Sequence, residues 1–373
     1  GAIISTIVVI ILDNRNPVKT MAWILILLFL PIVGLVFYFF FGRSQRRERI
    51  IGQKSYDRLL KKPMAEYMAQ DCSDVPEEYA RLIQLFQHTN QAFPFEGNRI
   101  AVYTEGYTKL QSLLRELQKA KQHIHIEYYI FEDDAIGRLV RDVLIEKASQ
   151  GVEVRVIYDD VGCWHVPNRF FEEMRNAGIE VRSFLKVRFP LFTSRVNYRN
   201  HRKIVVIDGR IGFVGGMNLA ERYMRGFSWG IWRDTHILIE GKAVHGLQTA
   251  FLLDWYFVDR TLITASRYFP KIESCGSSLV QVVTSEPIGP WKEIMQGLTM
   301  AINGAKKYFY MQTPYFLPTE QVLAAMQTAA LAGVDVRLML PERADNRITH
   351  LGSHSYLADV MQAGVKVYFY KKG

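Results

Sequence analysis

Cysteine is scarce in this chain. Cys72, Cys163 and Cys275 are the only three in 373 residues, far apart and in no metal-ligand spacing. That excludes a disulfide framework and a zinc cluster, and the three are expected to be reduced thiols. Acidic residues are outnumbered: 46 Lys and Arg against 37 Asp and Glu give a formal charge of +9 and a pI near 9.3. Such a balance implies a polyanionic partner, whether nucleic acid, an anionic membrane or a phosphate-bearing substrate. The length predicts two domains, each able to bury a core.

Charge is missing altogether between Met21 and Gly42. These 22 residues would span about 33 Å as a helix, enough for a bilayer core. Pro31 and Gly34 would be costly in a soluble helix but are tolerated in a membrane one. Gly1 to Leu12 is apolar but too short to cross alone. With no basic n-region and no initiator Met, it reads as the remainder of an earlier span, not a signal peptide. The intervening loop carries only Arg15 and Lys19. After the second stretch come Arg43, Arg46, Arg47, Arg49, Lys54, Arg58, Lys61 and Lys62. The positive-inside rule therefore puts the large C-terminal part in the cytoplasm, its basic collar against an anionic leaflet.

Beyond this region the chain repeats itself. Lys119 to Phe131 matches Gly304 to Phe316, Gln150 to Asp160 matches Ala332 to Glu342, and Asn176 to Phe184 matches Gln362 to Tyr370, at an offset near 185. The first copy reads as a strand over His123 to Phe131, a helix over Ala135 to Ser149 and a strand over Val152 to Tyr158. The alternation predicts an α/β fold with mainly parallel sheets flanked by helices, the two copies facing across a cleft.

At the end of the first copy stands NYRNHRKIVVIDGRIGFVGGMN, Asn197 to Asn218. Strand alternation puts His201 and Lys203 on one face and Arg202 and Asp208 on the other. Asp208-Gly209 predicts a hairpin turn and Ile211 to Val214 the return strand, which brings Asn218 back towards His201 and Lys203. An imidazole, an ammonium and an amide together suit a phosphate: a nucleophile with charge-assisted donors beside it.

The spacing His201-x-Lys203-x4-Asp208-x6-Gly215-Gly216-x-Asn218 resembles the signature of the phospholipase D superfamily. Together with the LDNRNPVKT loop, HIHIEYYIF, WRDTH and YMQTPYF, it makes the whole chain similar to the bacterial cardiolipin synthases. The resemblance implies two phospholipase D-like half-domains behind a transmembrane helical hairpin. It implies transfer of a phosphatidyl group from one phosphatidylglycerol, through a phosphohistidine, to a second, with release of glycerol and with neither cofactor nor metal. His201 takes the place of the nucleophile, Lys203 and Asn218 that of the phosphate-binding pair. Asp208 belongs to the signature, but its parity and the glycine after it favour a turn. Asp234, in Trp232-Arg233-Asp234, lies where the family places a carboxylate that orients the histidine. Glu127 and its repeat counterpart Gln312 fall at strand ends near the expected cleft. His123, His125, His165, His236, His245, His350 and His354 read as structural.

The family carries two signatures, and the second copy here runs to Lys371-Lys372-Gly373 without one. The expected organisation is a transmembrane region over 1–42 with its second span at 21–42, and a basic linker over 43–95. A first half-domain follows over 96–270 and a second, ending before its own signature, over 271–373. A chain with that ending is expected to bind membranes without turning over substrate. The run of Arg182, Lys186, Arg188, Arg195, Arg199, Arg202 and Lys203 contains no acid and is interleaved with Phe184, Phe189, Phe192 and Tyr198. It suits single-stranded nucleic acid, a membrane-facing flap or a solvated loop; the anchor favours the flap. The expected partners are thus phosphatidylglycerol and the bacterial inner membrane, with multi-pass topology, no nucleic acid, and a homo-oligomer left open. A hydrolase on the same site, a noncatalytic scaffold and an endonuclease are the competing classes.

Overall fold

A computed structural model describes residues 6–8, 10, 17–38, 75–186, 199–228, 230–286, 291–343 and 345–372. The basic collar over Arg43 to Lys62 and residues 187–198 of the flap lie outside these residues.

The apolar N-terminal segment is bent. Helix α1 (Pro17–Phe29) gives way at Leu30 to α2 (Pro31–Phe37). Pro31 supplies no N–H and crowds the preceding turn, which leaves Leu30 at φ −134°, ψ 67°. The bend falls within the span expected over 21–42, of which 39–42 lie outside the described residues; no helix among the described residues is long and apolar enough to cross a membrane. Phe29, Leu30 and Ile32 point outward.

Helix α3 (Glu77–Asn90) occupies part of the stretch expected as linker. Its Phe86 packs where a Cβ on Gly297 would stand, and its Asn90 donates to the Thr284 carbonyl. It is thereby fixed to the second copy.

The first copy then runs β1 (Pro94–Tyr103), α4 (Gly106–Lys119), β2 (His123–Tyr128), α5 (Ala135–Ser149), β3 (Glu153–Asp159), α6 (Asn168–Asn176) and β4 (Glu180–Phe184). It continues with β5 (Lys203–Ile207), β6 (Ile211–Gly215), α7 (Arg222–Arg225), β7 (His236–Glu240) and α8 (Val244–Asp259). The second runs β8 (Ser278–Gln281), α9 (Glu293–Gly304), β9 (Tyr308–Gln312), α10 (Glu320–Leu331), β10 (Asp335–Pro341), α11 (Arg347–Ser355), α12 (Leu357–Gln362) and β11 (Lys366–Tyr370).

The strands form two sheets, β4-β3-β2-β5-β6-β7-β1-β8 and β11-β10-β9. The smaller sheet is parallel throughout. In the larger one, β2-β3 and β3-β4 are parallel, but β5, β6, β7, β1 and β8 join antiparallel. The sheet is thus mixed rather than mainly parallel: β5 turns back into β6 through a short hairpin, where a parallel pair would need a crossover. Strand β8, expected in the second half-domain, closes the edge of the first sheet by pairing with its own repeat counterpart β1.

Helices α4, α5 and α6 cover one face of β2-β3-β4, burying Leu113, Leu117, Val140, Leu144, Phe170 and Phe171. Helix α8 covers the other with Phe251 and Trp255, and is buried along most of its length. Asp208 and Gly209 take positive φ values of 51° and 65°, as the expected tight hairpin requires.

Candidate active site

The site lies at the C-terminal ends of β2 and β3, where β5 begins. His201 is exposed, and Lys203, two residues on, is almost wholly buried. Lys203 Nζ stands 3.0 Å from His201 Nδ1 and donates to the His201 carbonyl at 2.7 Å. An ammonium only donates, so the ring nitrogen facing it carries the lone pair. Burial, then the Lys203 charge, pull the His201 imidazole down to about 4. Burial lowers Lys203 to about 8, against the opposing fields of Asp234 and Asp159. At neutral pH the pair is a neutral imidazole beside an ammonium.

Tyr129, at the end of β2, holds both. Its ring centroid is 4.5 Å from that of His201, and Lys203 Nζ lies 5.4 Å from it. Behind Lys203, β5 pairs Lys203 with Tyr128, whose hydroxyl accepts from the buried Lys109 Nζ at 2.9 Å. Burial brings Lys109 down to about 7. His236 is wholly buried, and burial, then Lys109 and Lys203, push it to about 2.

The chain entering β5 is pinned from the other face. The Asn200 N–H donates to Asp159 Oδ2 at 3.0 Å, and its side-chain amide donates to Glu127 and to Asp254. The Asn200 side-chain oxygen, Oδ1, accepts from the Arg202 N–H, while the Arg202 guanidinium pairs with Asp254. Burial, then the Asp254 charge, hold the Glu127 carboxyl well above the usual range. Flanking residues are thus locked, and His201 is presented between them.

The other expected site residues are placed as follows. Asp208 stands at the far end of β5, where its carboxylate accepts the N–H groups of Lys121, Gln122 and His123 at 2.8–2.9 Å. It holds a turn and touches nothing at His201. Asn218 is buried: its Oδ1 accepts from the Ile130 N–H at 3.1 Å and its Nδ2 donates to the Tyr223 hydroxyl at 2.6 Å, which leaves one amide hydrogen. Asp234 accepts from its neighbour Thr235 N–H at 2.6 Å and lies against Gly216, where a Cβ would come within 2.0 Å of its Oδ1. Among the described residues no hydrogen bond joins Asp234 to His201; its field acts on Lys203. Gln312 is exposed and accepts from Arg233 at 3.0 Å, which carries the end of β9 to the edge of the site.

Sequence reading missed Asn200, Asp254, Tyr129 and Lys109. The only available signal was the alternation that sends Arg202 to the face opposite His201. Of the histidines read as structural, His123 and His125 share Gln248, at 3.1 and 2.7 Å, beneath α8. No group of three or more metal-ligating side chains occurs among the described residues.

This arrangement has counterparts among known proteins. The family profile described as cardiolipin synthase, PLD-like domain, matches residues 113–255 and 298–373, and a phospholipase D-nuclease N-terminal profile matches 1–43. A cardiolipin synthase of Geobacillus kaustophilus is 41% identical over all of this chain and 75% of its own length. The major cardiolipin synthase of Bacillus subtilis is 37% identical over all of this chain and 79% of its own. Among solved structures, a phosphatidylserine synthase of Haemophilus influenzae matches at 12% identity with a TM-score of 0.53, over 78% of this chain and 79% of that one. That last likeness shows the fold. The chain belongs to the cardiolipin synthase family of phospholipase D-like proteins.

Proposed function

We propose that the protein is a membrane-bound phosphatidyltransferase that makes cardiolipin and glycerol from two phosphatidylglycerol molecules. The observation that carries this reading is the convergence of a neutral, exposed imidazole and a buried ammonium 3.0 Å apart. A diester phosphate seated on Lys203 meets the His201 lone pair. Attack forms the P–N bond and breaks the P–O bond to glycerol, whose oxygen takes a proton from a general acid. By resemblance that acid is the histidine of a second signature. The hydroxyl of a second phosphatidylglycerol then gives its proton back and attacks phosphorus, breaking P–N. One phosphodiester replaces another, so no nucleotide is consumed.

Lys203 and the free amide hydrogen of Asn218 serve the phosphate oxygens. Asp208 fixes the turn that sets the strand. Asp234 tunes the charge of Lys203, and by resemblance orients His201 when substrate parts the imidazole from the ammonium. The outward-facing apolar residues of α1 and α2 and the N-terminal profile match support an anchor in the bacterial inner membrane, with the catalytic part in the cytoplasm.

The test is to incubate the reconstituted full-length protein, carrying both signatures, with labelled phosphatidylglycerol and identify products. Cardiolipin with glycerol is expected, together with an acid-labile, base-stable phosphate adduct that His201→Ala removes. Phosphatidic acid as the main product would make the protein a hydrolase. Chelators are expected to leave the rate unchanged; inhibition reversed by one divalent metal would contradict the mechanism.

A further inference from the structure

The two ends of the sheets differ in what they show to solvent. At the end holding His201, the loop after β3 exposes Trp164 by 53%, and the segment before Asp234 exposes Ile231 by 63%. In the second copy, the loop after β9 exposes Leu317 by 51%, and α11, after β10, exposes Ile348 by 81% and Leu351 by 71%. Strands β3 and β10 are repeat counterparts, so both copies present apolar side chains at the same place around one mouth. At the opposite end the exposed residues are mainly polar or charged, among them Lys119, Lys121, Gln150, Lys306, Lys307 and Lys366, with Tyr308, Leu331 and Met361 as scattered exceptions.

These rim residues are tied to the site. A Cβ on Gly162, two residues before Trp164, would stand 2.0 Å from the Tyr129 carbonyl, and the Tyr129 ring packs on His201. Ile231 N–H donates to the Lys372 carbonyl at 2.8 Å, and Arg233 reaches Gln312. Leu317 packs beside Gly352 of α11. In α11, Ile348 and Leu351 lie three residues apart on the outer face while Ser353 turns inward to accept from the Phe316 N–H.

We infer that this rim, Trp164, Ile231, Leu317, Ile348 and Leu351, is a docking surface that seats the catalytic mouth on an anionic lipid bilayer. The inference rests on the reading of the protein as an enzyme of membrane lipids and says which face meets them. A phosphatidyl diester sits at headgroup depth, so a mouth whose rim enters the interface reaches it without pulling the acyl chains into water. A second copy seated on this rim would close the mouth over His201, whereas a bilayer brings the diester to it. Arg343 and Arg347 stand just before Ile348, alternating with Glu342 and Asp345, and Asp345 accepts from the Tyr315 hydroxyl at 2.7 Å, which leaves the apolar side chains to set the contact.

The experiment labels the whole chain, with Cys72, Cys163 and Cys275 changed to Ser, at one new cysteine with an environment-sensitive fluorophore. Leu351→Cys and Trp164→Cys report on the rim, Gln150→Cys on the opposite end. Each is reconstituted in phosphatidylglycerol-containing vesicles with brominated acyl chains. Labels at 351 and 164 are expected to be quenched several-fold more than the label at 150, and Ile348→Asp is expected to relieve the quenching at 351. Equal quenching at 351 and 150 would overturn the inference. So would a label at 351 that is shielded in detergent micelles while the particle mass doubles, since a second copy would then cover the rim. The readout needs no turnover: rim labels that insert in a protein making no cardiolipin would keep the surface and sink the catalytic reading alone.

Discussion

Strands β2 and β9 occupy the same place in the two copies, yet their surroundings differ. Every residue of β2 is buried, while Tyr308, Tyr310 and Gln312 of β9 are exposed. Those three match His123, His125 and Glu127, the face of β2 that lies under α8. In the first copy α8 forms a third layer, so polar groups on that face must find partners: the histidines share Gln248, and Glu127 receives Asn200. In the second copy no described element covers the face, and phenolic side chains border it with water. Alternation along a strand sets which residues share a face; a further layer decides whether that face becomes a core or a surface.

The chemistry follows the same division, which gives the largest expected effect. His201→Ala should lower phosphatidyl transfer on the order of 10⁴-fold or more, as removal of a nucleophile does. His350→Ala and His354→Ala should change it less than about twofold, because these two histidines of the second copy lie on α11 with rings 4.0 Å apart and touch no phosphate-binding group. Equal losses at both places, measured by radiolabelled product formation, would dissolve the contrast.

Packing should show the same contrast on a smaller scale. Trp255 is fully buried on α8 beside Phe251, so Trp255→Ala should cost about 3–5 kcal/mol of stability. Tyr310 on the open face is 51% exposed, and Tyr310→Ala should stay within about 0.5 kcal/mol. Chemical denaturation of both variants gives the comparison. A loss at Tyr310 as large as that at Trp255 would mean that the face is covered in solution.

Protonation separates the copies next. The exposed Lys366 is paired with Asp335 at 2.9 Å, whereas Lys203 is buried and lowered to about 8. His201 is neutral above about 4 and Lys203 is charged below about 8, so a free nucleophile and a charged phosphate donor should coexist between those limits, the lower set by attack and the upper by phosphate recognition. Above about 8 the ammonium loses its proton, and inhibition by inorganic vanadate should weaken about tenfold per pH unit. An unburied lysine would keep its charge to about 10.4. Vanadate inhibition unchanged to pH values near that would show that burial does not control the ammonium.

Much of this was readable beforehand. The tandem copies, the helix over Ala135–Ser149, the hairpin at Asp208 and the pairing of His201 with Lys203 follow from periodicity and from a six-position signature. These features are local, or repeat at fixed spacing. What escaped is non-local. Nothing near Asn200 announces that Asp254, on a helix fifty-odd residues later, will receive its amide. Nothing in β1 shows that its partner at the sheet edge will be its own repeat counterpart. The apolar run from Met21 was plain, but its hydropathy outweighed the bend that Pro31 imposes. Asp234 was placed by spacing alone, which fixes its position in the chain and not the group it faces.

That residue offers the finest test. Burial raises the Asp234 carboxyl, the Thr235 N–H opposes the rise, and the remaining charge acts on Lys203. If holding Lys203 charged is its main role, Asp234→Asn should move the alkaline limit of vanadate inhibition down, by less than about one pH unit, with little change in turnover at neutral pH. If it orients His201 once substrate is bound, turnover should fall well beyond any change in KM, because a misheld imidazole binds substrate but attacks poorly. Gly216→Ala separates the two roles. A Cβ there would meet Asp234 Oδ1 at 2.0 Å, so it displaces the carboxylate without removing its charge. A field acting on Lys203 tolerates a small displacement, and the alkaline limit should stay near its original value. A hydrogen bond to His201 does not tolerate it, and Gly216→Ala should then lose turnover as Asp234→Asn does. Wild-type behaviour of both variants would remove Asp234 from the site and leave Tyr129, Asn200 and Lys203 alone to position His201.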